Sequence, residues 1–177
     1  LIAWDVSKVT DMINVFGSMY GSISFFNQAL DAWNIGQVTI MYDMFGSIYG
    51  GYTVPALSDS NKLAIHANFE AQAPSLWTYA WEAARLSLDR ALNEWCSNQT
   101  AAEATHGAMS TWDVSNVTHM GHLMSSLPWQ CRNTFNEDSG GWNVGQVTNM
   151  QSMLFFVSAF NQNLEAWDVG QVTNMQS

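Results

Sequence analysis

The side chains in this chain that could do chemistry are few and scattered. His119 and His122 stand three residues apart in "THMGH", a spacing that lets two imidazoles share a metal ion on one helical turn. No third ligand lies at a fitting spacing, so no metal site is expected. Cys96 and Cys131 can pair as a disulfide or remain as two buried thiols. Asn98-Gln-Thr and Asn116-Val-Thr are N-glycosylation sequons, which agree with secretion if the source is eukaryotic. The acidic residues form no recurring pair of the kind a glycosidase uses. No G-x-S-x-G, H-E-x-x-H, P-loop or G-x-G-x-x-G is present. The expectation is a protein without catalytic residues or cofactor, and not an enzyme.

Charge narrows the partners. Five Lys and Arg stand against fifteen Asp and Glu, a formal charge of −10, and no Lys or Arg follows Arg132. Nucleic acid needs a basic stripe to replace its counterions, and anionic lipid needs the same. Neither partner is expected. No apolar run reaches the roughly 18 residues of a membrane span. With 47% hydrophobic residues in 177, the chain can bury a core. It begins at "LIAWDVSKVT" without Met and stops within a repeat, so both ends look cut.

What must position these groups is a repeat. "WDVSKVTDM" from Trp4, "WNIGQVTIM" from Trp33, "WDVSNVTHM" from Trp112, "WNVGQVTNM" from Trp142 and "WDVGQVTNM" from Trp167 share the form W-[DN]-[VI]-[SG]-x-V-T-x-M. The spacings are 29, 79, 30 and 25 residues. A second phrase, F-N-[QE], recurs at Phe26, Phe135 and Phe160. Fixed periods of 20–50 residues mark solenoids, propellers or arrays. Apolar positions fall three apart, as at Val144, Val147, Met150 and Met153, which suits a chain bending around a polygonal core.

The fold expected from this pattern is α/β: a right-handed leucine-rich-repeat-like solenoid of about 25-residue coils, with short parallel strands at V-T-x-M. The Trp, Val, Met and Phe columns are assigned to the core. The Asp or Asn after each Trp is assigned to local Asx bonds, and the Asn of F-N-[QE] to backbone groups at a turn. A calcium ladder lacks a dense acidic cluster, and one Thr per coil is too few for an ice-binding face. The residue before V-T (Lys8, Gln37, Asn116, Gln146, Gln171) is polar in every copy and is expected to face water.

The repeat is interrupted between Trp33 and Trp112. "GYTVPALSDSNK" reads as a loop. From Pro74 to Cys96, Trp77, Trp81, Ala84, Leu88, Ala91 and Trp95 fall on one stripe of an amphipathic helix, with Arg85–Asp89 and Arg90–Glu94 paired on its wet side. That stripe must dock, most simply on the open end of a neighbouring array. A Cys96–Cys131 bridge would then staple helix to array, and it suits an oxidising compartment.

The stretch "LDRALNEWCSNQTAAEATHGAMSTWDVSNVTHM" and the repeat itself, down to M-F and F-N-Q, resemble the BspA-like leucine-rich-repeat surface proteins, whose repeats are also called DUF285. His106 and Met124 depart from the residues commoner in that family. The resemblance implies that residues 1–56 end one array, 57–74 connect, 75–111 form a helical cap and 112–177 start a second array. It also implies a secreted or cell-surface protein, in some cases adhesive. The expected function is a non-catalytic surface repeat module contacting protein or glycan, or else a structural subunit built into a filament or large complex with other copies. Tyr20, Phe25, Phe26 and Tyr49, in the lengthened loops of the first two coils, are the candidate contact residues.

Overall fold

The computed structural model describes residues 4–16, 26–45, 57–77, 79 and 81–176. The chain divides into two compact units, Leu1–Glu82 and Ala83–Ser177.

The α/β fold with parallel strands is not what forms. Among the described residues there is no β-strand and no sheet; the regular structure is helical and the rest is turn and coil. Successive V-T-x-M segments meet only at isolated parallel bridges, Asp11 with Ile40, His119 with Asn149 and Asn149 with Asn174. The reason lies in the turns on either side. Before each Thr, a Val N–H returns to the carbonyl three residues back, as in Val117 to Val114 and Val147 to Val144, each 2.9 Å. After it, Leu123 and Met153 return to Met120 and Met150 in the same way. In four copies the residue two beyond the Met is left-handed: Asn14, Asp43, His122 and Ser152 have φ between 49° and 55°. Extension therefore survives for only about two residues. Spacing by three is the cadence of consecutive turns, each presenting one apolar side chain inward.

The coils nevertheless register closely. Trp112, Trp142 and Trp167 stack with centroids 6.5 Å apart at each step and ring planes within 15°. Phe135 stacks on Phe160 at 6.3 Å, and in the first unit Trp4 stacks on Trp33 at 6.3 Å. The Thr column ties one coil to the next. Thr148 donates from both its N–H and its Oγ1 to the Thr118 carbonyl, and Thr173 does the same to Thr148. The Asx reading of the residue after Trp holds. Oδ1 of Asp5, Asn34, Asp113, Asn143 and Asp168 each accepts the N–H two residues on. Asn136 of F-N-E accepts from the Asn161 N–H one coil away, so its work is between coils.

In the first unit a helix closes the second coil. Ser58 caps α1, Asp59–Gln72, by accepting from the Asn61 N–H. The helix buries Ile65 and Phe69, while Asn68 and Gln72 donate to the Trp33 carbonyl and Gln72 accepts from the Ile35 N–H. This helix occupies residues read as loop and connector, because its inward face carries only two large apolar residues and is otherwise amide. The long helix expected from Pro74 is also corrected. Residues 74–76 form a turn, and Trp77, Tyr79 and Trp81 surround Phe45 at 5.0–6.4 Å. A spacing of four fits an alternating segment as well as a helix, and Tyr79, whose hydroxyl accepts from the Phe45 N–H, lies between the two Trp. Burial holds the Tyr79 phenol neutral, far above its ordinary pKa.

In the second unit α2 spans Ala83–Ser97, followed by α3, Gln99–His106, a short 3-10 turn, Met109–Thr111, and, inside the Trp112 coil, α4, Trp129–Thr134. Leu88, Ala91 and Leu92 of α2 join Val114, Val117, Met120, Leu123 and Phe135 in one core, with Ala84 and Trp95 packed at its margin.

Close approach between coils is sharpest at two glycines. A Cβ on Gly141 would lie 2.8 Å from the Ser110 carbonyl oxygen, and one on Gly140 would lie 2.6 Å from that of Asn163. Gly141→Ala is therefore expected to cost about 1–3 kcal/mol of stability through overpacking. Urea unfolding measures it; an unchanged midpoint would refute this contact.

Candidate interaction surface

Every conserved demand of the coil is met by columns that point inward or along the stack, which leaves one column with no structural task. Lys8, Gln37, Asn116, Gln146 and Gln171 are all exposed. None of these side chains hydrogen-bonds to another described residue. In the second unit this sets Asn116, Gln146 and Gln171 in a row, one amide per coil, on a backbone fixed by the turns beneath.

Cys96 and Cys131 form a disulfide, with Cα atoms 5.5 Å apart, which ties α2 to α4. Asn98 caps α3, its Oδ1 accepting from the Ala101 N–H, and Asn116 is solvent-facing. The two histidines have different surroundings. His119 sits in the inter-coil bridge with Nδ1 at 2.9 Å from Thr118 Oγ1. His122 is buried, and burial first and the Arg85 charge second lower its pKa. A fixed guanidinium beside the pair opposes a metal cation. Among the described residues no three His, Cys, Asp or Glu side chains group as a metal site. Of the aromatic candidates, Tyr20, Phe25 and Tyr49 lie outside the described residues. Phe26 is half-buried and stacks on Phe16 at 4.0 Å, so it belongs to the ring stack of the first unit rather than to a free loop tip.

Arg85 was placed on the wet side of its helix by spacing, and the structure reverses that. It is 5% exposed, paired with Asp89 at 2.9 Å, and its Nη1 donates to the carbonyls of His119 at 2.9 Å and Gly121 at 3.1 Å. One coil further on, the equivalent carbonyls of Asn149 and Gln151 accept from the Met120 and His122 N–H groups. One guanidinium thus replaces the two backbone donors that a preceding coil would supply. Glu94 pairs with His106 of α3 at 2.7 Å.

At the opposite end of this unit, no such side chain is seen among the described residues. Met150, Met153, Leu154, Phe155, Phe156, Leu164, Trp167, Val169 and Met175 line an apolar groove of about 610 Å³. Phe156 is 61% exposed and held at φ 61°, a conformation that bulky residues rarely adopt, with Arg132 over its ring at 5.6 Å. No motif in the sequence marks this end; only the pair "FF" inside an otherwise regular coil hints at it.

Two outcomes test this arrangement. Arg85→Met keeps the length of the side chain but strands two buried carbonyls, and is expected to cost about 2–3 kcal/mol, with Arg85→Lys recovering only part of it. Opening the disulfide by the double change Cys96→Ser and Cys131→Ser frees a loop of separation 35 and is expected to cost about 3–4 kcal/mol. Chemical unfolding of the second unit's tryptophans reads both. Unchanged stability in either variant would reject the role given to those residues.

Among the described residues no helix is long and apolar enough to cross a membrane. Neither the comparison with curated proteins nor that with solved structures gave a match. A family described as "Mycoplasma protein of unknown function, DUF285" matches residues 1–50 and 90–177. The match covers the repeat coils and leaves out 51–89, where α1, the Trp77–Trp81 cluster and Arg85 lie. With five copies of the W-[DN]-[VI] coil inside the matched residues, the chain belongs to the DUF285 family.

Proposed function

We propose that this protein is a non-catalytic repeat module of a secreted or cell-surface protein, contacting protein or glycan through the amide row at Asn116, Gln146 and Gln171. The observation that carries the reading is that row: exposed, polar in every copy, and free of any structural duty. Repeat stacks bind through extended faces because a rigid periodic support orders the contacting groups in advance. The disulfide favours an oxidising location. The net charge of −10 disfavours nucleic acid and anionic membrane as partners. The resemblance of the repeat to BspA-like surface proteins supports the same placement, and the sequons at Asn98 and Asn116 agree with it.

The binding row is tested with panels of immobilised surface proteins and glycans. The purified chain should be retained, and the double variant Gln146→Ala, Gln171→Ala should bind at least about tenfold more weakly. Its unfolding midpoint should hold, because exposed substitutions of this kind shift stability by about 0.5 kcal/mol or less. Retention unaffected by the double variant, or absent on every surface, would sink the reading.

A further inference from the structure

In the second unit α2 packs on the Trp112 coil where a preceding coil would otherwise stack, and a helix does not fill the same space. Between stacked coils the Asx loops run close, so that a Cβ on Gly145 would lie 3.9 Å from Asp168 Oδ2. Beside the Asx loop of the Trp112 coil, α2 instead presents three small residues, Ala84, Ser87 and Ala91. Their spacing of three and four keeps them on one helix face. What remains is an open cleft of about 370 Å³, inside the roughly 300–1,000 Å³ of small-ligand sites. Its walls are α2 and the end of α3 on one side and residues 111–116 on the other.

The cleft combines apolar and polar lining. Ala84, Leu88 and Ala91 supply the apolar part, with a little of the Trp112 ring, which is 9% exposed. Ser87, Asp113 and Asn116 supply the polar part, and all three are exposed. Asp113 Oδ1 accepts both the N–H and the hydroxyl of Ser115, which leaves Oδ2 to accept from a ligand. Those bonds, the hydroxyl first, hold Asp113 below the ordinary carboxylate range, so near neutral pH it only accepts. The Asn116 amide both donates and accepts. His106 completes the wall, its Nε2 held by Glu94 at 2.7 Å and its ring edge-on to Trp112 at 5.8 Å.

We propose that this cleft binds one neutral sugar unit of a glycan, its C–H face on the alanines and Leu88 and its hydroxyls on Asp113 and Asn116. A pyranose ring has an apolar face and an edge of hydroxyls, each at once donor and acceptor. A carboxylate oxygen, an amide and a hydroxyl beside an apolar wall match that division. Among the described residues no Lys or Arg lines the cleft, so phosphate and acidic sugars are disfavoured. The proposal rests on the reading of the chain as a surface binding module and narrows its ligand to glycan. Asn116 is also the first amide of the exposed row, so a bound sugar would sit at the head of that row.

The walls are fixed before anything binds. The Glu94–His106 pair ties α3 to α2, and the Trp112 indole N–H donates to the Gly107 carbonyl at 3.1 Å. Little ordering is therefore lost on binding, but the contacts to one sugar unit are few. Affinity for a free monosaccharide is expected in the millimolar range.

Nuclear magnetic resonance of the whole chain tests the cleft, with protein produced without glycosylation so that Asn116 keeps its free amide. Free glucose, galactose, mannose, fucose and N-acetylglucosamine are titrated in turn. At least one should shift the Asn116 side-chain amide and the Ser87 N–H together and saturate. Asp113→Asn keeps the turn, as Asn143 does in the next coil, and should weaken binding at least about tenfold, the order for losing a hydrogen bond to a charged group. Ser87→Trp, at an exposed position, should fill the cleft and abolish the shifts, and the unfolding midpoint should hold in both variants. The absence of shifts with every sugar, or shifts that survive Ser87→Trp, overturn the proposal. Sugar shifts confined to Gln146 and Gln171 also overturn it, while sustaining the amide row. Cleft shifts that persist when the Gln146→Ala, Gln171→Ala chain loses nothing on surface panels sustain the cleft and sink the row.

Discussion

The second unit depends on one oxygen at each of its two joints. The carbonyl three residues before the Trp closes a turn by accepting that Trp's own N–H, Met109 from Trp112 and Ser139 from Trp142. It then accepts the indole N–H of the next Trp as well, Trp142 on Met109 at 2.7 Å and Trp167 on Ser139 at 2.9 Å. A carbonyl has two lone pairs, and a buried indole N–H needs an acceptor, so the two demands satisfy each other. Position within a coil and position between coils are fixed by the same atom. A coil without its Trp would leave that carbonyl with one acceptor site unused and lose the bond to its neighbour.

That constraint was legible as a pattern before it was legible as geometry. The five Trp, the Thr column and the Asx residues announced a stack; the Asx residues lie at their turns and Trp33, Trp112 and Trp142 in the core, whereas Trp4 is exposed and Trp167 half-buried. What spacing could not deliver was the local conformation. Apolar residues three apart serve a polygon of strands or a string of turns equally well. The decision falls to Asn14, Asp43, His122 and Ser152, whose left-handed backbone ends each extended stretch after about two residues. Three of these four are types that tolerate φ > 0, but they vary from copy to copy and so did not stand out beside the invariant Trp and Thr.

Of the elements that close the arrays, the apolar stripe of α2 was legible and the polar closures were not, for a related reason. A repeat advertises itself by recurrence, whereas a cap occurs once. Asn68 and Gln72 of α1 close the Trp33 coil with amides, and Arg85 closes the Trp112 coil with a guanidinium. Both solutions use polar side chains to stand in for missing backbone, so neither shows as an apolar stripe. Arg85 even carried a plausible solvent-facing role, because its true partner Asp89 stands four residues on, where a surface ion pair would also be. The Trp77 and Trp81 pair was misleading in the opposite direction, since a helical interval of four is also two steps of an alternating segment.

The freedom left by the Trp anchor has a definite place in the coil. The Trp112 coil is 30 residues and the Trp142 coil is 25, yet their Trp rings and their Phe135 and Phe160 rings still stack. From Met to Phe the first takes 15 residues and the second 10, so the whole difference of five falls in that one interval. There the longer coil builds α4 with Cys131, and the shorter one puts Phe155 and Phe156 into solvent. Nothing in the indole–carbonyl chain passes through this stretch, so its length and chemistry can change without disturbing the ladder. The same stretch supplies both the covalent staple at one end of the second unit and the strained aromatic rim at the other. An array of this kind diversifies along the interval between Met and Phe, and the amide row on the far side of the Thr bridge keeps its spacing whatever that interval becomes.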